Sequence, residues 1–453
     1  MVLVYYIKCV KMVPMFNRDF EKYLISWKNS SNRKPLVVRG ARQVGKTVAV
    51  KEFGEKFYTN FIYINLENKE TLKLFESVDT IGIFASTVNL AFQQNVEKDN
   101  TLIFIDEIQN SPNLISLLRF FYEEMPALHI ICAGSLLEAK IEKEGFSMPV
   151  GRVEYGYMYP LTFFEFLGVI GKDNLRDHII NLNLTEPKPL PAGIHNLAIS
   201  LFRQYTLLGG MPEVLKIYSA TQDLEECKKV LRNISTAYSE DVYKYAGTET
   251  SKYLNFIITV GSAYAGSLYR YENFAESGFR SREMGNAFDL LEKVMLLRQI
   301  RSTNSNSLPL MAKERRSKKL VWLDVGFVNM TSNAYESFIN LKDLNGLYRG
   351  RIAEQVVGQN ILASGNFYET MDLYYWSKDQ NEGIAEVDFC LQVKGRAVAV
   401  EVKSGSTGKA RSLKSFGDIF KDALLVKVSE ANFGKQDGIL LLPFYLVNRI
   451  SAL

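Results

Sequence analysis

The stretch Val37–Val50, VVRGARQVGKTVAV, constrains the fold of this 453-residue chain more than any other. An apolar run enters a glycine-bracketed turn, and Lys46 and Thr47 then open an amphipathic run. GARQVGKT fits the pattern G-x-x-x-x-G-K-[ST] at every defined position, from Gly40 to Thr47. A tight loop between strand and helix turns successive backbone N–H groups inward, where they can cradle phosphate oxygens. The helix behind it adds unpaired amides and a positive dipole end. Gly40 and Gly45 allow backbone angles and a close approach that a side chain would block. Ala41, Arg42, Gln43 and Val44 complete the loop. Lys46 is placed to reach β- and γ-phosphates, and the Thr47 hydroxyl to ligate Mg²⁺.

From Arg33 to about Gly168, short apolar runs alternate with amphipathic stretches. PLVVRG, FIYINLE, TLIFIDE and LHIICAGS are rich in β-branched residues and end in polar or small ones. This alternation predicts a parallel sheet with helices on both faces and a ligand at the carboxyl ends of the strands. TLIFIDEIQ ends in Asp106, expected in the Mg²⁺ shell, and Glu107, expected to orient and activate an attacking water. Ser135 is placed either to sense the γ-phosphate or to cap a helix. Arg152 either supplies charge to a transition state or belongs to a surface or interdomain ion pair.

A chain this long requires two to four domains. Hydrophobic residues at 47% and charged residues at 23% exclude a disordered or fibrous class. The four cysteines, Cys9, Cys132, Cys227 and Cys390, are scattered without a CxxC pair, which reads as a reducing compartment without structural zinc. MVLVYYIKCVKM superficially looks like a signal peptide but lacks a basic start and a cleavage site. It is read as a short strand, or as a start drawn upstream of Met12 or Met15. No run is long enough to cross a bilayer, and the expected location is cytoplasmic. From residue 251 onward, 26 Lys+Arg face 21 Asp+Glu, leaving 28 against 29 before it. The positive balance therefore lies in the C-terminal part, pointing to a polyanionic partner or to solvated charge.

Residues 170–250 read as helical, with a glycine-proline break at LLGGMPEVL. Tyr271–Leu297 has a helix-turn-helix cadence, with Gly278 at the turn and Ser281 capping a second helix whose apolar face holds Met284, Phe288 and Leu291. MLLRQIRS and KKLVWLDVGF follow as a hairpin with a basic tip, giving a winged-helix outline. Arg280, Arg282, Lys313, Arg315, Arg316, Lys318 and Lys319 are the candidate phosphate contacts for DNA or RNA. Serving as a rigid joint or a protein dock is the other reading.

Further on, Glu354 lies on a helix, Asp388 on a strand in AEVDFCL, and Glu401 and Lys403 on the next strand as VEVKSG. Positions i and i+2 of a strand share a face, so Glu401 and Lys403 project together. Carboxylates around one point suit Mg²⁺ or Mn²⁺, with Lys403 positioning water or offsetting charge on a leaving group. The rival reading is a structural ion-pair cluster. DALLVKVS, after one more helix, reads as the final strand.

With RGARQVGKT, IFIDEIQ, CAGSLL, PVGRVE and YPLTFFEFL, the chain resembles prokaryotic AAA-superfamily P-loop ATPases fused to a C-terminal domain of unknown function. YTLLGGMPEVL and YSEDVYKY are also similar to blocks of that family. The resemblance implies ATP as ligand. The helix, three strands, helix, strand order around Glu354, Asp388, Glu401 and Lys403 resembles the PD-(D/E)XK nuclease superfamily. The expected fold is α/β: a P-loop NTPase parallel-sheet domain over 12–170, then a helical lid or linker over 171–250. A winged-helix-like domain over 251–332 and an α/β nuclease-like domain over 345–453 complete it. The expected function is ATP binding and hydrolysis coupled to a nucleic-acid-binding, nuclease-like module. The alternative is a nucleotide-dependent switch or adaptor that binds a protein partner, with an inactive nuclease fold as scaffold. Arg152 acting across a contact would require an oligomer.

Overall fold

The computed structural model describes residues 16–96, 100–135, 137, 140, 145–245, 248–303, 307–331, 350–378, 385–403 and 411–453. The N-terminal reading at Met12 or Met15 lies outside them.

Five strands form the first sheet: β1 (Leu36–Arg39), β2 (Asn60–Asn65), β3 (Thr101–Asp106), β4 (His129–Ala133) and β5 (Glu154–Tyr157). They are all parallel, in the order β2-β3-β4-β1-β5. Alternate side chains enter different cores. Leu36, Val38, Leu102 and Phe104 join one cluster, while Val37, Ile103, Ile105 and Cys132 join the other. Both faces are therefore covered, which is why the sequence shows continuous apolar runs instead of a polar–apolar alternation. The four strands expected from sequence form. β5, whose EYGY has no such run, is the fifth.

Helices Asp173–Ile180, Ala192–Leu208, Pro212–Thr221 and Leu224–Tyr245 follow, as the sequence predicts. The second sheet has nine strands: β6 (Leu268–Tyr269), β7 (Leu297–Thr303), β8 (Lys318–Trp322), β9 (Tyr374–Ser377), β10 (Glu386–Val393), β11 (Arg396–Val402), β12 (Leu424–Ser429), β13 (Gly434–Gln436) and β14 (Ile439–Pro443). Their order is β13-β14-β12-β11-β10-β9-β7-β8-β6. The chain does not end its strands at β12: β14 adds parallel to it, and β13 pairs antiparallel with β14.

β7 pairs antiparallel with β8 and, along its other edge, parallel with β9. The hairpin is thus built into the C-terminal sheet, which joins strands from before residue 332 to strands from after residue 345. Helix Ser281–Lys293 buries Met284, Phe288 and Leu291, as its spacing requires. Ser281 does not cap it by its side chain. Arg280 occupies the N-cap, and the Ser281 N–H is donated to Glu272 Oε2 at 2.9 Å.

Candidate functional site

The glycine loop closes between β1 and helix Lys46–Phe57. Gly40 could not be replaced without conflict, since a Cβ there would lie 2.4 Å from the Met158 carbonyl oxygen. Lys46 is buried, and its ammonium donates to the Gly40 and Ala41 carbonyls at 2.8 Å each. The Thr47 hydroxyl donates to Asp106 Oδ2 at 2.8 Å, and the Tyr63 hydroxyl reaches the same oxygen at 3.2 Å. Burial raises the Asp106 carboxyl above its ordinary pKa, opposed by the Thr47 hydrogen bond. Glu107 adopts a left-handed backbone, φ 54°, unusual for a residue with a side chain. Its carboxylate accepts the Ser135 hydroxyl at 3.1 and 3.2 Å and the Gln109 amide. Lys46, Thr47, Glu107 and Ser135 line one cavity of about 620 Å³ with Arg42, Gln43 and Gly45. Thr47 and Asp106 offer the hard oxygen donors that suit Mg²⁺.

Ser135 therefore touches Glu107, a contact that neither sequence reading anticipated. Of the two readings of Arg152, the structure displays the ion pair: its Nε lies 2.7 Å from Glu123 Oε1 with both side chains partly exposed, and Arg152 is absent from the cavity lining.

Sequence reasoning missed several cavity residues. Arg18 donates to the Val44 carbonyl at 2.8 Å, to the Tyr159 carbonyl at 2.7 Å and to Glu165 at 2.9 Å, clamping the loop from outside. Arg42 is ion-paired with Asp241, and the Tyr238 hydroxyl donates to the Arg42 carbonyl at 2.8 Å. Both partners lie on helix Leu224–Tyr245, within the YSEDVYKY block. Pro212, Glu213 and Lys216 line the cavity from helix Pro212–Thr221.

A buried carboxylate ties that wall to the second sheet. Asp324, immediately after β8, accepts the Gly210 N–H at 2.6 Å, the Gly326 N–H at 2.8 Å and Gln359 Nε2 at 3.1 Å. Gly209 is at φ 78°, and a Cβ there would fall 1.9 Å from Asp324 Oδ1. The Leu161 N–H donates to the Gly210 carbonyl at 2.7 Å, and Leu161 lines the cavity. Gln359 lies on helix Arg351–Ala363, the helix that carries Glu354.

In the C-terminal sheet, Lys403 Nζ lies 2.6 Å from Glu401 Oε1, so the two do project together. Asp388 Oδ2 accepts the Val402 N–H at 2.8 Å. Glu354 and Asp388 meet at another residue: Lys319 Nζ lies 2.7 Å from Glu354 Oε2, 3.3 Å from Glu386 Oε1 and 3.4 Å from Asp388 Oδ1. Among the described residues, no group of three or more His, Cys, Asp or Glu side chains is arranged to hold a metal ion.

Two candidate phosphate contacts are thereby corrected. Lys319 is buried in this cluster, and Lys318 is buried with its ammonium over the Tyr271 ring and toward Glu314. Consecutive residues of β8 project to opposite faces of the sheet, and every residue of this strand is buried, so both faces are covered. Arg280, Arg282, Lys313 and Arg315 are exposed, and half-buried Arg316 donates to Ser377 Oγ at 3.3 Å.

A P-loop with acidic residues ending β3 inside a five-stranded parallel sheet is the P-loop NTPase arrangement. Residues 32–167 match the AAA domain family. Residues 199–337 match a domain of unknown function (DUF8612), and residues 349–447 match another (DUF4143). The nucleotide cavity thus draws on the AAA-type region and on the region after it, since Pro212, Glu213 and Lys216 fall in the second match. No curated protein sequence matches the chain. Among solved structures, the Orc1 protein of Aeropyrum pernix in complex with DNA is 13% identical, with a TM-score of 0.30. That match covers 74% of this chain and 97% of the other. The RuvB Holliday junction branch migration motor of Thermotoga maritima is 13% identical over 66% of this chain and 93% of its own, with a TM-score of 0.29. C. elegans PCH-2 is 12% identical over 47% and 66%, with a TM-score of 0.28. TM-scores this low carry no functional argument. Among the described residues, no helix is long and apolar enough to cross a membrane.

Proposed function

We propose that this chain is a cytoplasmic ATP-driven switch whose nucleotide state acts on a nucleic-acid-binding C-terminal module. The reading takes 12–170 as the ATPase core, 171–250 as a helical lid, 251–332 as winged-helix-like and 345–453 as nuclease-like in fold. The observation that carries it is the convergence of Lys46, Thr47, Glu107 and Ser135 on one cavity, with Asp106 bonded to Thr47.

Lys46 exchanges the Gly40 and Ala41 carbonyls for the β- and γ-phosphates of ATP. Thr47 and Asp106 would hold Mg²⁺, which would neutralise phosphate charge. Glu107, held by Ser135 and Gln109, accepts the proton of the attacking water as the new P–O bond forms and ADP departs. The Gly210–Asp324–Gln359 contacts supply the mechanical link, because the turn that carries Pro212 into the cavity is bonded to both C-terminal elements. Arg280, Arg282, Lys313 and Arg315 are the surface for a phosphate backbone.

Lys46→Ala tests the nucleotide reading by equilibrium binding of a fluorescent ATP analogue, and unchanged affinity refutes it. Labelled DNA and RNA, titrated with and without ATP, test the module. If neither binds in either state, the protein-adaptor reading replaces the nucleic-acid one.

A further inference from the structure

The nuclease-like reading of the C-terminal sheet brings with it a divalent metal between Glu354, Asp388 and Glu401. The residues present do not fit that metal. A divalent ion needs carboxylate oxygens converging on it at about 2.0–2.6 Å. Glu354, Glu386 and Asp388 instead converge on an ammonium, Lys319 Nζ, at 2.7, 3.3 and 3.4 Å. The Lys319 side chain is only 2% exposed and comes from β8, outside the helix and strands that carry the acids. The Phe389 and Tyr375 rings flank it, with their centroids 5.5 and 5.9 Å from Nζ. Asp388 spends its second oxygen on the Val402 N–H, and Glu401 directs Oε1 to Lys403. A metal here would share its volume with a positive charge whose side chain is almost fully buried.

We propose that Lys319 is the resident cation of this carboxylate cluster, excluding a divalent metal from the folded protein and locking β8 onto the C-terminal core. The cluster is then a structural lock, and the module recognises its target without metal-dependent phosphodiester cleavage. Lys319 serves as a positioning residue, holding the hairpin against helix Arg351–Ala363. The inference bears on the nuclease likeness alone, and its failure would leave the ATP reading untouched.

Lysine acetylation of the full-length wild type, read by mass spectrometry with and without millimolar Mn²⁺, tests it directly. Lys319 should react at least about tenfold more slowly than exposed Lys313, equally in both buffers. If Mn²⁺ raises the reactivity of Lys319 toward that of Lys313, metal displaces the ammonium and the proposal falls. It falls also if Lys319 reacts as fast as Lys313 without metal. A double-mutant cycle of Lys319→Met and Glu354→Gln gives a second measure in urea. The double variant should lose less stability than the two single losses combined, and simple additivity would overturn the lock. Should the Met variant fail to fold, the wild-type labelling decides alone.

Discussion

The Gly210 backbone N–H is donated to the buried carboxylate of Asp324 at 2.6 Å, 114 residues further along the chain. This bond joins the turn beside the nucleotide cavity to the end of β8. Burial pushes the Asp324 carboxyl up to about 6 from an ordinary 3.8, against the hydrogen bonds from Gly210, Gly326 and Gln359. A carboxyl whose folded pKa is raised binds its proton more tightly in the native state. Stability from this group is therefore greatest below pH 4 and falls as pH rises to about 6, by roughly 3 kcal/mol. Asp324→Asn cannot titrate. The stability gap between wild type and this variant, measured by urea unfolding, should narrow across that window and stay constant above it.

The Ser135 hydroxyl and the Gln109 amide hold Glu107. Glu107→Gln should lower ATP turnover by about 10²–10⁴-fold with nucleotide affinity retained. Ser135→Ala removes one hydrogen bond to a charged group, worth about 1.5 kcal/mol, so kcat should fall about tenfold with KM little changed. Steady-state phosphate release checks both, and a KM effect without a kcat effect would place Ser135 on the substrate instead.

Arg18 is 10% and Glu165 6% exposed, and the guanidinium also holds two carbonyls. Arg18→Ala takes the charge partner from a buried carboxylate that keeps the Asp19 and Thr162 N–H donors, at 2.9 and 2.8 Å, a loss of up to about 3 kcal/mol. Thermal unfolding should show it, and saturating ATP should restore part of it, because the clamped Val44 carbonyl belongs to the loop that ATP orders.

Lys313 and Arg315 are exposed on the β7–β8 connection. Replacing both by Gln should reduce the salt slope of duplex DNA binding by about two, near 0.9 for each lost phosphate contact. Lys318→Gln should leave the slope unchanged, because its ammonium is buried against Tyr271.

Glu401 and Lys403 illustrate what a sequence can specify. The i, i+2 spacing brings Glu401, on β11, and Lys403, one residue past its end, to the same side, and they meet at 2.6 Å. The phosphate loop, Asp106 and Glu107 were legible for the same reason: loop geometry and strand ends are written in contiguous residues, and apolar runs mark the buried strands. β5 escaped because its position depends on pairing with β1, which no local pattern encodes.

Tertiary structure decided which charges meet. Lys319 reads as one of seven candidate phosphate contacts, yet its partners lie between 35 and 69 positions away, and burial among them changes its role from surface contact to internal cation. Arg18 and Glu165 are 147 positions apart, and Arg152 found Glu123 instead of the nucleotide cavity. A charge's partner is set by which surfaces the packed sheets bring together. Spacing determines a residue's face and its element, whereas only the closed fold determines what stands opposite it.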